Sequence, residues 1–183
     1  IIDSNDLDVN KNETSKIISF LDDVFIKNLK NKDNTSENLV RQLNKFMSFE
    51  DNNKALCNYL FKLSGDNYSF STINFITQSH IKFDLEILLH KKLKIYGEVT
   101  IDFVVENPEK AAKLLILDSN KLLVNKVEYI DNNSVEKLSF VCIKSSHYET
   151  LGEMLVIEFT DEILEKIIKN QGLKLKINYF TLG

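Results

Sequence analysis

Ile81-Lys82-Phe83-Asp84-Leu85-Glu86-Ile87 is followed, after a polar break, by Leu93-Lys94-Ile95-Tyr96-Gly97-Glu98-Val99-Thr100-Ile101-Asp102-Phe103. Apolar and polar residues alternate with a period of two in both runs, the periodicity of a strand rather than of a helix. His90, Lys91 and Lys92 supply a polar turn between them. Two alternating runs around a short polar break predict a β-hairpin. Strict alternation predicts one buried face and one wet face. The odd positions from Leu93 to Phe103 are expected to point inward and the even ones outward. A one-residue slip would invert every side chain.

Further strand signals follow. Pro108, the only proline, sits in a polar loop from Glu106 to Lys110. Leu114 to Leu117 is short and continuously apolar, as expected of a strand covered on both sides. Leu122 to Ile130 is another strand, and Asn132-Asn133 supplies turn chemistry. Leu138 to Ile143, Met154 to Phe159 and Leu173 to Tyr179 are further candidates. Ile163 to Ile168 is short enough to leave helix and extended segment both open. Antiparallel strands joined by short loops predict a sandwich or a strongly twisted open sheet.

Before Gly65 the period is helical. Residues 1–12 are polar, rich in Asn and Asp, without periodicity, and are expected to be loose. Thr14 or Ser15 caps a candidate helix with Ile17, Phe20, Leu21, Val24 and Phe25 on one face. Ser36 caps a second, with Leu39, Leu43, Phe46 and Met47. Asp51 caps a third, in which Leu56, Tyr59, Leu60 and Leu63 follow the i, i+3, i+4, i+7 template. Gly65 stands where a left-handed C-terminal cap would. Each stripe must bury itself on another helix, on the β domain or on a partner protein. The fold class is therefore α+β, a helical N-terminal segment over residues 1–65 followed by a mainly antiparallel β domain over 66–183.

The composition is that of a globular chain. Of 183 residues, 43% are hydrophobic and 27% charged, enough to bury a core without disulfide or metal staples. The net charge is −4, from 23 Lys and Arg against 27 Asp and Glu, which opposes non-specific nucleic-acid binding. No apolar run reaches the ~18 residues of a membrane span. Cys57 and Cys142 lie in unlike contexts and are expected to be reduced, buried thiols of a cytoplasmic or otherwise reducing compartment. The chain starts at Ile1 without a signal-peptide pattern and its last strand runs almost to Gly183, which suggests a piece of a longer protein.

No standard catalytic constellation is present. The sequence holds no Gly-rich phosphate loop, no Gly-x-Ser-x-Gly elbow and no Cys-x-x-Cys. His80, His90 and His147 form no H-E-x-x-H, and Glu149 in His147-Tyr148-Glu149 has the wrong spacing for helical zinc ligation. His80 and His90 read as a strand-edge and a turn residue. Tyr68, Phe70 and Phe75, with Lys82 or Lys94, form a nominal platform for nucleic acid, but the acidic balance favours core packing for these aromatics. Asp161-Glu162 reads as a helix start or surface signal rather than a catalytic dyad. No residue is assigned a catalytic, cofactor-binding or metal-binding role.

The run from Asp66 onward resembles the N-terminal domain of the zinc aminopeptidase family that includes aminopeptidase N, most closely its leukotriene A(4) hydrolase branch. Asp66-Asn67-Tyr68-Ser69-Phe70 looks like the polar lead-in of those enzymes. Thr77-Gln78-Ser79-His80-Ile81-Lys82-Phe83-Asp84-Leu85 is similar to their first core strand. Leu93-Lys94-Ile95-Tyr96-Gly97-Glu98-Val99-Thr100-Ile101 is similar to the next. Leu114-Leu115-Ile116-Leu117-Asp118 and Leu123-Val124-Asn125-Lys126-Val127 resemble the family's L-x-L-D … L-x-I-x-x-V stretch, and Lys174 to Tyr179 looks like a later strand. The resemblance covers about two thirds of the chain, in the family's order. Residues 1–65 have no counterpart in it.

The resemblance implies a saddle-shaped antiparallel domain beside a thermolysin-like catalytic domain, capping one side of the substrate channel. The family's zinc motif H-E-x-x-H, its distant Glu and its Gly-x-Met-Glu-Asn motif belong to that catalytic domain. None is carried over here, and Gly152-Glu153-Met154 is not the last of them. A Gln-containing segment of the family's β domain would fall just after Gly183.

The expected function is thus a non-catalytic N-terminal fragment of a zinc metallo-aminopeptidase. Zinc and peptide substrate are expected in the parent, and a partner protein is a possibility for residues 13–64. A catalytically dead scaffold that keeps the β domain, or an unrelated β-sandwich binding module, are the alternatives.

Overall fold

The computed structural model describes residues 39–46, 50–72, 75–88, 94–132, 134–145 and 148–181, with positions 15, 18 and 19 in isolation. The candidate helix from Ile17 to Phe25, the Ser36 cap, the Phe46 and Met47 side chains, and the turn at His90 to Lys92 fall wholly or largely outside this set, as does His147.

Eight strands are described: β1 (Ile76–Leu88), β2 (Lys94–Val105), β3 (Leu114–Ser119), β4 (Leu122–Asp131), β5 (Ser134–Lys137), β6 (Ser139–Lys144), β7 (Glu153–Glu158) and β8 (Gly172–Thr181). Three α-helices accompany them: α1 (Leu39–Phe46), α2 (Glu50–Ser64) and α3 (Asp161–Asn170). The strands form a five-stranded sheet ordered β1-β2-β8-β4-β5 and a three-stranded sheet ordered β3-β7-β6. Every pairing is antiparallel. The fold is α+β with an open sandwich at its centre.

The small sheet is the middle layer. Its continuously apolar strands send alternate residues to opposite sides, as pleating requires. From β7, Leu155 and Ile157 join the core beneath the large sheet, while Met154 and Val156 join the core beneath the helices. From β3, Leu115 faces the large sheet, and Leu114 and Ile116 face the helices. The reading of Leu114 to Leu117 as a strand covered on both sides is thus realised.

The helices provide the outer cover. In α2, Leu56, Cys57 and Leu60 are fully buried and Phe61 nearly so, with Tyr59 and Leu63 at the margin. Cys57 and Phe61 widen the predicted stripe. Gly65, at φ 72, donates its N–H to the Phe61 carbonyl at 2.9 Å, the left-handed C-terminal cap expected there. From α1, Val40 and Leu43 enter the same core. The Glu158 carboxylate, at the end of β7, accepts from the N–H groups of Leu39 (3.0 Å) and Val40 (3.2 Å). A side chain nearly 120 residues away in sequence thereby satisfies two N–H groups that the helix itself cannot.

Ile163 to Ile168, left open by the sequence, is helical. Thr160 caps α3 by accepting from the Ile163 N–H at 3.3 Å, and Gln171 closes it in the left-handed conformation. Asp161 and Glu162 occupy the first turn, where the helix dipole favours acids. Cys57 and Cys142 are both unpaired, the first buried and the second half-buried, and burial pushes each thiol above its ordinary range.

Candidate functional site

Register places the odd residues of β1 in transverse rows across the large sheet. Ile81 lies beside Ile101, then Leu175 and Tyr129. Phe83 lies beside Val99, then Ile177 and Val127. Leu85 lies beside Gly97, then Tyr179 and Val124. The small sheet covers only the far end of these rows. Leu175 and Val127 are fully buried, but exposure reaches 36% at Ile81, 54% at Phe83, 55% at Leu85 and 56% at Ile87. Here the expectation of a buried face fails for β1, although the alternation is right. The three-stranded sheet is narrower than the five-stranded one, so the terminal strand overhangs it. Within β2 the predicted register holds: Gly97, Val99 and Phe103 are buried, while Lys94 and Tyr96 are exposed.

Under the overhang runs a groove of about 340 Å³, walled by Phe83, Ile101, Leu122 and Tyr179 from the large sheet and by Leu117 and Leu155 opposite. Asp118, Ser71, Ser119 and Gln78 bring polar groups to it. Asp118 is already engaged: its carboxylate accepts from the Phe70 N–H (2.8 Å) and from the hydroxyls of Ser69 (2.6 Å) and Ser71 (3.1 Å). The Ser119 hydroxyl is buried without a hydrogen-bond partner. The lining is apolar with few polar groups, suited to side-chain or ligand burial rather than to charge transfer.

Tyr179 shapes the floor by lying over Gly97. A Cβ built on Gly97 would stand 2.4 Å from the Tyr179 ring. Gly97→Ala is expected to cost about 1–2 kcal/mol, as a small-to-large change against a packed ring. In a Tyr179→Ala background the same change is expected to be neutral or stabilising, since Gly is the poorer strand residue by ~0.5–1 kcal/mol. Urea melts of the four proteins in the cycle measure the coupling. Equal costs in both backgrounds would show that the ring does not enforce the glycine.

The opposite face of the same strands is polar and laddered. Lys174 pairs with Asp102 at 3.0 Å, Lys176 with Glu98 at 3.0 Å and Lys82 with Asp84 at 2.8 Å. Asn178 donates to Glu98 at 2.9 Å, and together with Lys176 holds its carboxyl below the usual range. His80 lies within β1, beside Asp102 in register. Among the described residues no group of three or more His, Cys, Asp or Glu is placed to hold a metal. Phe70 and Phe75 lie in different cores and Tyr68 is 85% exposed, so the three aromatics form no common platform. No described helix is long and apolar enough to cross a membrane.

The arrangement defines an antiparallel β domain whose apolar sheet face is covered except along β1. No family model matches the chain, and no curated protein matches it. Solved structures do match. Yeast LTA4 hydrolase in complex with Bestatin aligns at a TM-score of 0.49 and 23% identity, over 63% of this chain and 16% of that one. Native yeast LTA4 hydrolase aligns at 0.49 and 25%, over 62% and 16%. The chain thus spans less than a fifth of the length of the structures it matches.

Proposed function

We propose that this chain is a non-catalytic N-terminal part of a longer zinc-aminopeptidase-type protein, with the β domain walling the substrate channel beside a separate catalytic domain. One observation carries the reading: the row Ile81, Phe83, Leu85 and Ile87 faces water on a sheet whose interior side is otherwise packed. Soluble proteins do not leave such a continuous apolar strip wet without a covering body. The ordered series of segments from Asp66 to Tyr179 that resembles this family's N-terminal domain supports the identity of that body as the catalytic domain. In this reading zinc is held in the catalytic domain, and the β domain contributes to the pocket for the peptide's free amino terminus. The helices of residues 39–64 lie on the far side of the small sheet, away from the overhang. The two free thiols fit a cytoplasmic setting.

The test is to express the chain together with the ~150 residues or more encoded after Gly183, the length of a further domain. One zinc per molecule by elemental analysis and hydrolysis of an aminoacyl reporter are expected of the longer product, and neither of the 183-residue chain alone. Hydrolysis or stoichiometric zinc in the short chain overturns the reading. A downstream sequence with a degraded zinc motif transfers it to a scaffold, and one with no such domain overturns the family assignment.

A further inference from the structure

We infer that β1 is a dimerisation edge, pairing antiparallel with β1 of a second copy of this chain about a two-fold axis through Phe83. The inference uses the backbone edge of β1 and stands independently of the proposed enzyme context.

β1 is 13 residues long, contains no proline, and among the described residues ends its sheet. The direction of its free backbone groups follows from its neighbour. Val105 donates its N–H to the Gln171 carbonyl (3.0 Å) and Ile95 to the Thr181 hydroxyl (3.3 Å), so the odd residues of β2 face β8. Glu106 donates instead to Phe75, on the β1 side, at 3.0 Å. Backbone groups alternate along a strand, so the even residues of β2 face β1, and so do their register partners His80, Lys82, Asp84 and Glu86. The N–H and C=O groups of Ile81, Phe83, Leu85 and Ile87 therefore point out of the sheet. A long, open, apolar edge of this kind is a template for another strand.

Charge selects the second copy and its register. Centring the axis on Phe83 pairs Ile81 with Leu85 through outward-facing backbone groups. It sets Lys82 opposite Asp84 of the second copy, and His80 opposite Glu86, each twice by symmetry. Lys82 and Asp84 then form a non-hydrogen-bonded pair, the type in which side chains approach most closely. Moving the axis one residue either way stays in hydrogen-bond phase but stacks Lys82 on Lys82 or Asp84 on Asp84. Of these three axes only the one through Phe83 sets Lys82 opposite Asp84. The bulge between Gln78 and His80 breaks the β1–β2 register just beyond this segment. The two apolar strips become neighbours, with Phe83 beside Phe83, which removes part of the exposed surface from water.

Sedimentation velocity and light scattering on the 183-residue chain test the pairing, with circular dichroism as the check on folding. The wild type is expected to be a dimer at about 100 µM, and Lys82→Asp or Asp84→Lys alone to weaken it by roughly tenfold or more, since each sets like charges opposite. The double swap of Lys82→Asp with Asp84→Lys is expected to restore the wild-type constant to within ~3-fold; it also restores the Lys82–Asp84 pair within each strand, so constants are compared only among variants whose circular dichroism and urea melts match the wild type. Phe83→Pro removes the central outward N–H and is expected to yield monomer. A wild type that stays monomeric overturns the inference and leaves the edge to a strand from another protein or another part of the chain. A dimer indifferent to the single swaps, or a folded Phe83→Pro variant that still dimerises, overturns it equally.

Discussion

Leu175→Ala is expected to lower the free energy of unfolding by about 3 kcal/mol or more, and Leu85→Ala by less than ~1 kcal/mol. The two leucines are the same residue type on the same face of the same sheet, two rows apart. Leu175 is fully buried at the centre of β8, between Ile101 and Tyr129, with the small sheet and α3 beneath it. Its truncation leaves a cavity that β2 and β4 hold open from both sides. Leu85 is 55% exposed on the overhang, so truncation removes side-chain surface that was largely in water already. Urea denaturation at constant slope measures both. The measurement is made at a concentration where light scattering shows monomer, so equal losses would mean that the overhang is packed by the rest of this chain.

Seven of the eight described strands and the β2 register were legible because alternation or a short apolar run is written in each strand's own residues, whereas β5 (Ser134–Lys137), short and polar, gave no such signal. The sheet order was not. β8 inserts between β2 and β4 although some 40 to 70 residues separate them, and nothing local in Leu173 to Tyr179 names its neighbours. The exposure of Phe83 and Leu85 was illegible for the same reason. An alternating strand says which side is apolar, whereas cover depends on the width of the sheet opposite. The cap on α1 was equally hidden, since the donors at Leu39 and Val40 meet an acid from β7. In contrast, Gly65 and the Asp161-Glu162 start of α3 are local signals and were readable as such. The groove follows from the overhang, so none of its apolar lining residues carried a sequence signal beyond being apolar.

The small sheet explains why helices precede the β domain in the chain. A three-stranded sheet with both faces apolar cannot end a sandwich, because Leu114, Ile116, Ile143, Met154 and Val156 would face water. Residues 39–64 solve this by presenting Val40, Leu43, Leu56, Leu60 and Phe61 to them. Phe61 stacks on Phe70 at 5.4 Å and meets Tyr148 edge-on at 4.9 Å, tying α2 both to the segment entering the sheets and to the loop before β7. The Asn53 amide donates to the Lys144 carbonyl at 2.8 Å and the Tyr148 hydroxyl to Asn58 at 3.1 Å, fixing the helix against the end of β6.

Leu60→Asp is accordingly expected to be the most damaging single change in the helical segment, costing on the order of 5 kcal/mol. Two effects add. Losing the leucine from a fully buried site costs about 2–5 kcal/mol. The carboxylate that replaces it must then shed its hydration, ionise at a raised pKa or drag the helix into water, each worth several kcal/mol. Since a domain of this size holds roughly 5–15 kcal/mol in all, most of the margin is consumed. Two outcomes are distinguishable by limited proteolysis and by binding of a hydrophobic dye. If the helices and sheets share one cooperative unit, the variant loses protection throughout and binds dye along its whole length. If α2 detaches alone, cleavage is confined to residues before Asp66 and a protected β fragment persists. The core shared between α2 and β3, β6 and β7 predicts the first, because detachment strips one whole face from the small sheet. The neighbouring change Lys62→Asp, on the outward side of the same helix turn, is expected to cost about 1 kcal/mol or less, since it touches no core and only sets an acid in the helix's last turn. A Leu60→Asp protein that melts like Lys62→Asp would show that the helices are not packed on the small sheet in solution.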